Sequence, residues 1–430
     1  MSLPSGSGKS PGHGTGDARE AIAVKISAYR PGPGMMVSAA FIGPGTVTAC
    51  TLAGANFGFA LIWALAFATI TTVILQGFAV RIALVSRMGL AEAMLASVSS
   101  PQIKILAAGL LIAALLLGNA AYEAGNISGA VLGIEALTGA DIAPHKPAVI
   151  ITIALIAGGL LLMSRPRWVE RVLVTLVLLM SSAFFAAFLL TRPDITAIFS
   201  GFDPQIPEGG LLTAIALIGT TIVPYNLFLH AASARVRWDS VDGLPEAQSD
   251  NIVSISIGGL ISITILATAA GSLFGAGSEI ANAADMARQL DPVFGELASL
   301  TLGLGLFAAG LTSAITAPLA TGYIMQEIFG KSETSGARLP YILGIGTVLL
   351  SGTFGALLNY RPVEIIFVAQ IANGLLLPII AAFLLYLANN RDILRDHVND
   401  SKANLAGIAI LLITGLLGVR LVSRALGIWP

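Results

Sequence analysis

Long apolar stretches separated by short polar connections run along most of the chain. A helix that crosses the hydrocarbon core of a bilayer needs about 20 mostly apolar residues. By that criterion the sequence predicts eleven membrane helices, at about 35–53, 57–82, 103–134, 147–164, 168–191, 209–232, 251–275, 294–328, 338–357, 363–388 and 403–426. Strands are not predicted, because the stretches are too long and lack alternation. We therefore expect an all-α membrane protein.

The N-terminal residues differ from the rest of the chain. Residues 1–34 are rich in glycine, serine and proline and contain no apolar run. Such a composition is typical of a flexible segment. We expect a loose cytoplasmic tail at 1–34, followed by one transmembrane domain at 35–430.

Composition and charge exclude several classes of protein. Of the 430 residues, 55% are hydrophobic and 11% are charged, whereas in a soluble protein about a quarter are charged. The net charge of -1 gives no electrostatic support for a nucleic-acid partner. The single cysteine, Cys50, excludes an internal disulfide framework. We expect no cofactor, a lipid bilayer as the surroundings, and a monomer.

Basic residues predict the orientation in the membrane. With the N-terminus in the cytoplasm and alternating spans, 17 of the 23 lysines and arginines fall on the cytoplasmic side. Cytoplasmic loops of membrane proteins carry such an excess. We expect a cytoplasmic N-terminus, in a bacterial inner (plasma) membrane.

Two stretches contain residues that interrupt a helix. The first carries Gly43-Pro44-Gly45-Thr46, and the sixth carries "GTTIVPYN" at 219–226. Proline inside a helix costs about 3 kcal/mol and frees a carbonyl group, so broken backbone in a membrane must lie inside a bundle or beside a wet cavity. Because the breaks lie five spans apart, they indicate a transporter built from inverted repeats, at about 35–191 and 209–388, with an extra helix at about 403–426. The alternative is two ordinary proline kinks.

Several motifs carry a family resemblance. Gly-Pro-Gly at 32–34, Gly-Pro-Gly-Thr at 43–46 and Phe-Gly-Phe at 57–59 are followed by Val-Pro-Tyr-Asn at 223–226 and by "GLTSAITAPLATGYIMQ" at 310–326. In order and spacing they resemble the NRAMP family of proton-coupled divalent-metal transporters. The resemblance covers nearly all of the chain after residue 30. It implies the LeuT-type fold, with a 5+5 inverted repeat, about eleven helices, broken helices 1 and 6, and alternating access.

The metal-binding positions depart from that family. The resemblance places its aspartate, asparagine and methionine ligands at Gly43, Thr46 and Val223. The family's third-span acids fall on Tyr122 and Gly125. Thr46 and Asn226 are the most that remains for a metal ion. Since manganese and iron favour carboxylate and imidazole ligands, and a charge in the membrane needs compensation, we do not expect tight binding of a dehydrated transition metal.

Neutral groups make up the predicted substrate site. A hydrated ion, a monovalent ion and a polar organic molecule remain as substrates. The half-helix after Gly45 could also meet an anionic group with its unpaired N–H groups. The candidate substrate-binding residues are Gly43, Thr46, Thr220, Thr221, Val223, Tyr225, Asn226 and Gln370, the last of which falls on a glutamine of the family's tenth span.

Five further residues are candidates for a coupling ion or a proton path. Glu123 and Asn126 share a helical face in an apolar run, and an intramembrane acid indicates function by default. His230 could titrate. Thr312 and Ser313 could help to hold a sodium ion. The alternatives are a neutral Glu123 bonded to another helix, a structural His230, and hydroxyls bonded to their own backbone.

The leading hypothesis is therefore an NRAMP-related secondary transporter with an altered site. One alternative is a sodium- or proton-coupled symporter of a small polar or anionic solute. Another is a receptor-like homologue that has lost transport. An enzyme is not expected, since the sequence has no zinc-protease motif, paired intramembrane aspartates or nucleophile elbow.

Overall fold

The computed structural model describes residues 33–34, 42–139, 142–162, 167–277, 279–329 and 338–428. All regular structure in these ranges is helical. Of the tail predicted at 1–34, only Pro33 and Gly34 are described, so that prediction lies outside the described residues. The same holds for residues 35–41 of the first apolar stretch.

Twelve long helices account for the eleven predicted stretches, because the sixth stretch is divided in two. They are α1 (Pro44–Phe57), α2 (Ile62–Ser86), α3 (Pro101–Thr138), α4 (Lys146–Leu162), α5 (Arg167–Thr191), α6 (Leu211–Thr221), α7 (Pro224–Arg237), α8 (Leu244–Leu273), α9 (Ala298–Phe329), α10 (Arg338–Ala356), α11 (Pro362–Ala388) and α12 (Ser401–Ala425).

Most of the predicted stretches are found as helices close to their predicted boundaries. Among the described residues, nine helical segments are long and apolar enough to cross a membrane, and α4 is a shorter apolar helix. Among the stretches whose starts lie within the described residues, the largest difference is at α8, which begins at Leu244 rather than near 251. Its first two turns are polar and start with a proline, so the helix extends beyond the apolar run. Some connections also contain short helices that were not predicted, such as Leu90–Ala96 and Ile195–Ser200.

Prolines mark where several helices begin. Pro44, Pro101, Pro224 and Pro362 lie in the first turns of α1, α3, α7 and α11. The first turn suits proline because its missing N–H group would have no partner inside the helix. Pro224 therefore starts a new helix rather than kinking a continuous one. For the sixth stretch the prediction of a break is confirmed and the alternative of a simple kink is wrong.

Glycines allow the helices to touch backbone to backbone. A Cβ atom at Gly54 of α1 would meet the carbonyl oxygen of Leu266 and, at 2.7 Å, the Cβ of Ala269 on α8. Gly133 of α3 lies equally close to Phe307 of α9. Small residues at such crossings are usual in membrane bundles, and here they hold α1 and α3 firmly in place.

The long helix α3 positions much of the interior. It packs against α9, α10 and α11 along its length. Its first half exposes apolar side chains such as Ile105 and Leu117, whereas its second half buries Glu123 and Asn126. The polar residues of α3 therefore lie in the centre of the bundle.

Replacing Gly54 by valine should destabilise the fold. The added side chain must enter a space already filled by α8, and overpacking of this kind costs about 1–3 kcal/mol. We expect a lower Tm for Gly54→Val in detergent. Gly159→Val is the matched control, because a Cβ at Gly159 meets no atom within 4 Å. An equal Tm for both variants would contradict this packing.

Candidate functional site

At the first break, helix α1 begins inside the protein, with its N-terminus among buried residues. Gly43 precedes α1 in an extended conformation, with φ -99° and ψ -175°, and no side chain caps the helix. Its carbonyl oxygen accepts a hydrogen bond from the Val47 N–H at 3.2 Å. The N–H groups of the first turn have no partner within the helix, and they lie among buried residues.

The second break separates α6 from α7. Helix α6 ends at Thr221, and Ile222 leaves the helix with φ -103° and ψ 81°. Val223 is extended and precedes Pro224. The Thr221 hydroxyl donates back to the Leu217 carbonyl oxygen at 3.2 Å. Thr221, Ile222 and Val223 are buried, so this interruption also lies inside the bundle.

A hydrogen bond between two threonines joins the breaks. The hydroxyls of Thr46 on α1 and Thr220 on α6 lie 2.9 Å apart, and both side chains are fully buried. Residues that are 174 positions apart in the chain therefore meet at one point. Two of the predicted substrate residues, Thr46 of the first stretch and Thr220 of the sixth, are brought together there.

Gln370 of α11 lies between the same two breaks. A Cβ atom at Gly45 would overlap the Gln370 carboxamide, and one at Gly219 would overlap the Gln370 carbonyl oxygen. The Gln370 Nε2 group donates to the Ile366 carbonyl oxygen at 3.2 Å. Its Oε1 atom is buried and has no hydrogen-bond partner among the described residues. An acceptor is thus available at the point where the breaks meet.

Two tyrosines lie beside the second break. The rings of Tyr122 and Tyr225 meet edge to face, with centroids 5.4 Å apart and planes at 60°. They form a buried cluster with Val223 and with Ala317 and Ala320 of α9. This cluster links α3, α7 and α9 next to the break.

Asn226 occupies the first turn of α7. Its side chain is buried, and neither amide atom has a hydrogen-bond partner among the described residues. A buried amide without a partner loses about 1–3 kcal/mol relative to water. Such a residue in a membrane bundle is a natural contact for a polar ligand.

The buried polar side chains of α3 make two separate hydrogen bonds, one within the helix and one to α9. Asn126 Nδ2 donates to Glu123 Oε2 at 3.2 Å, while Asn119 Nδ2 donates to the Thr321 hydroxyl of α9 at 2.7 Å. The Glu123 stem packs against Gly352 of α10. The carboxyl group is fully buried, and its Oε1 atom has no partner among the described residues.

His230 is held by a residue that sequence reasoning missed. Its Nδ1 atom lies 2.8 Å from Oε1 of Gln76 on α2, and both side chains are buried. Because Oε1 can only accept, Nδ1 carries the proton of this bond. The one signal in the sequence was the amide of Gln76 within the apolar stretch 57–82. Its position in that stretch does not identify its partner.

Thr312 and Ser313 of α9 are the two hydroxyl residues predicted to help to hold a sodium ion. Thr312 is half-buried and donates to the Ala308 carbonyl oxygen of its own helix at 2.7 Å, as its alternative interpretation expected. Ser313 is buried. A role for these two residues in sodium binding stays a prediction.

The side chains gathered at the breaks are neutral. Within the described ranges, no group of three or more His, Cys, Asp and Glu residues could hold a metal ion. The polar groups there are the hydroxyls of Thr46 and Thr220, which bond each other, the amides of Asn226 and Gln370, and backbone atoms. This set can exchange hydrogen bonds but supplies no formal charge.

The chain matches one known protein family and has a curated relative of similar length. Residues 34–424 match the family described as natural resistance-associated macrophage protein-like. A divalent metal cation transporter, MntH, of Deinococcus radiodurans is 26% identical over 407 residues, which are 92% of this chain and 90% of that protein.

Solved structures show the same fold. A manganese transporter of Eremococcus coleocola matches with a TM-score of 0.74 at 20% identity, over 92% of this chain and 86% of that one. A nucleobase-cation-symport-1 family transporter matches with a TM-score of 0.59 at 17% identity, over 93% and 94% of the two chains. The chain therefore has the LeuT-type fold that the family resemblance implied.

Thr46 and Thr220 should be coupled in stability. Replacing either by valine removes their shared hydrogen bond, so the double variant Thr46→Val, Thr220→Val should lose less than the sum of the single variants. Couplings in membrane bundles average about 0.6 kcal/mol, and unfolding of the four proteins measures this one. As a control, Thr46→Val is combined with Thr312→Val, and these two losses should add, since the Thr312 hydroxyl bonds its own helix. Strict additivity of Thr46 and Thr220 would contradict the contact.

Proposed function

The chain belongs to the NRAMP family of integral membrane transporters, and we propose that it carries a metal cation that keeps part of its water shell. Its relatives are transporters rather than enzymes. One is named a divalent metal cation transporter and another is a manganese transporter. These names support a metal cation as the substrate class here.

The neutral set of groups at the helix breaks carries this proposal. A fully dehydrated divalent ion needs anionic or strongly basic ligands, and a charge in the membrane is costly without them. Threonine and amide oxygens can instead accept hydrogen bonds from water molecules bound to the ion. Magnesium gives up its waters reluctantly and is usually bound with several of them, so it is the ion that best fits this site.

Transport would follow the alternating-access scheme of the fold. Residues at about 35–191 and 209–388 would form the two inverted repeats, and the extra helix at about 403–426 would lie outside them. The excess of basic residues supports a cytoplasmic N-terminus, and the bacterial relatives support an inner membrane. Glu123 and His230 would supply the proton path, because they are buried ionisable groups near the breaks.

A polar organic solute is the second candidate substrate. The observation that favours it is Asn226, whose amide offers both an unpaired donor and an unpaired acceptor among the described residues. A sodium- or proton-coupled symporter would use such a residue to orient a small neutral or anionic molecule. A receptor-like protein would have the same site without transport.

Flux measurements in liposomes test the substrate class. We expect saturable magnesium uptake by the purified protein and no saturable manganese uptake at micromolar concentration. Empty liposomes and heat-inactivated protein are the controls. Saturable micromolar manganese uptake would contradict the argument from neutral ligands. Uptake of an organic solute driven by sodium would favour the symporter, and the absence of every flux would favour the receptor.

Restoring charge at the first break should restore affinity for manganese. Gly43→Asp combined with Thr46→Asn places a carboxylate and an amide beside the break, and the backbone of Gly43 has a φ of -99° that any residue can adopt. We expect manganese binding by titration calorimetry at least about tenfold tighter, equivalent to about 1.4 kcal/mol.

The matched control for that variant is Gly43→Asn with Thr46→Asn. It adds nearly the same volume without the charge, so manganese binding should stay weak. Equal binding by the charged and the neutral variants would show that charge at the break does not limit affinity.

A further inference from the structure

Asn373 of α11 is a buried amide that the site described so far does not use. It lies one helical turn after Gln370 and is 0% exposed. Neither Oδ1 nor Nδ2 has a hydrogen-bond partner among the described residues. Leaving a buried amide unpaired costs about 1–3 kcal/mol, so a residue of this kind needs a ligand or a function to account for it.

The packing of α3 against α11 places Asn373 next to the site. The two helices are antiparallel: Gly125 of α3 faces Ile366 and Ala369, while a Cβ at Gly118 would lie 3.9 Å from Asn373 Oδ1. Tyr122 lies between the two glycines on the same face of α3. Asn373 is therefore at the level between Gly118 and Tyr122. In the proposed orientation this level is on the cytoplasmic side of Gln370.

Asn373 adds a third buried amide with unsatisfied atoms to the two that lie at and beside the breaks. Gln370 Oε1 is at the breaks, and Asn226 is on the first turn of α7, which itself packs against α11. Together with Asn373 they give three buried side chains with unpaired carboxamide oxygens among the described residues. Each carboxamide oxygen accepts two hydrogen bonds. All three side chains are uncharged.

We propose that Asn373 contacts the substrate as it moves from the helix breaks toward the cytoplasm. This inference rests on the proposed function. The ligand would be a hydrated divalent cation, whose bound waters would donate hydrogen bonds to Asn373 Oδ1. The water shell of the ion would supply the hydrogen-bond partners that the described residues do not give this amide.

The role predicts opposite effects on stability and on transport. The variants are Asn373→Leu, which keeps the branched shape, and Asn373→Ala, which cannot overpack. At least one of them should match or exceed the wild-type Tm without substrate, because an unpaired amide has been removed. Both should raise the KM for magnesium uptake into liposomes about fivefold, the equivalent of about 1 kcal/mol. The rise in Tm produced by added magnesium chloride should shrink correspondingly.

The control is Asn389→Leu. Asn389 caps the end of the same helix, is exposed, and bonds the Leu385 carbonyl oxygen and Asn404. This variant should leave the KM unchanged.

A structural role for Asn373 gives a different pattern. Both variants would then lower the Tm without substrate and leave the KM and the magnesium-induced shift at wild-type values, which would overturn the inference. If the wild-type protein neither takes up magnesium nor is stabilised by it, the proposed function fails first, and the contact with a hydrated cation fails with it. An effect confined to the Asn373 variants, on a working wild type, supports the inference.

Discussion

Peptide groups inside a bilayer must find hydrogen-bond partners within the protein, and the two helix breaks concentrate this constraint at one place. Helix α1 begins and α6 ends in the middle of the bundle, so N–H groups and carbonyl groups face the interior there. The Thr46–Thr220 bond and the close approach of Gln370 to Gly45 and Gly219 enclose these groups. The glycines are needed because any larger residue would push Gln370 away.

The polar groups enclosed at the breaks determine which substrates the site can bind. They combine neutral oxygens, amides and helix ends, and the buried carboxyl group of Glu123 on α3 is bonded to Asn126 of its own helix. A bare divalent ion would meet too little negative charge in such surroundings. A substrate that brings its own shell of water molecules can form hydrogen bonds with these buried groups. The hydrated-cation proposal, and the further role of Asn373, both follow from this one property.

The fold was predictable to the extent that single stretches of sequence determine it. The length of each apolar run gave the spans, and Pro224 gave the break between α6 and α7, because both depend on local residues. The pairing of His230 with Gln76 and of Asn119 with Thr321 was not predictable, since it depends on how helices rotate against one another. Asn373 could have been noticed as a polar residue one turn after Gln370. Its lack of a partner emerges only when α3 is packed against α11.

The location of a bound ion tests the central claim most directly. A structure determined in manganese-containing and in magnesium-containing buffer, with anomalous scattering to identify manganese, would show how the ion meets the breaks. Any ion between Thr46, Asn226 and Gln370 should be separated from these side chains by water. Manganese bound directly to Thr46 and Asn226, with no intervening water, would contradict that claim.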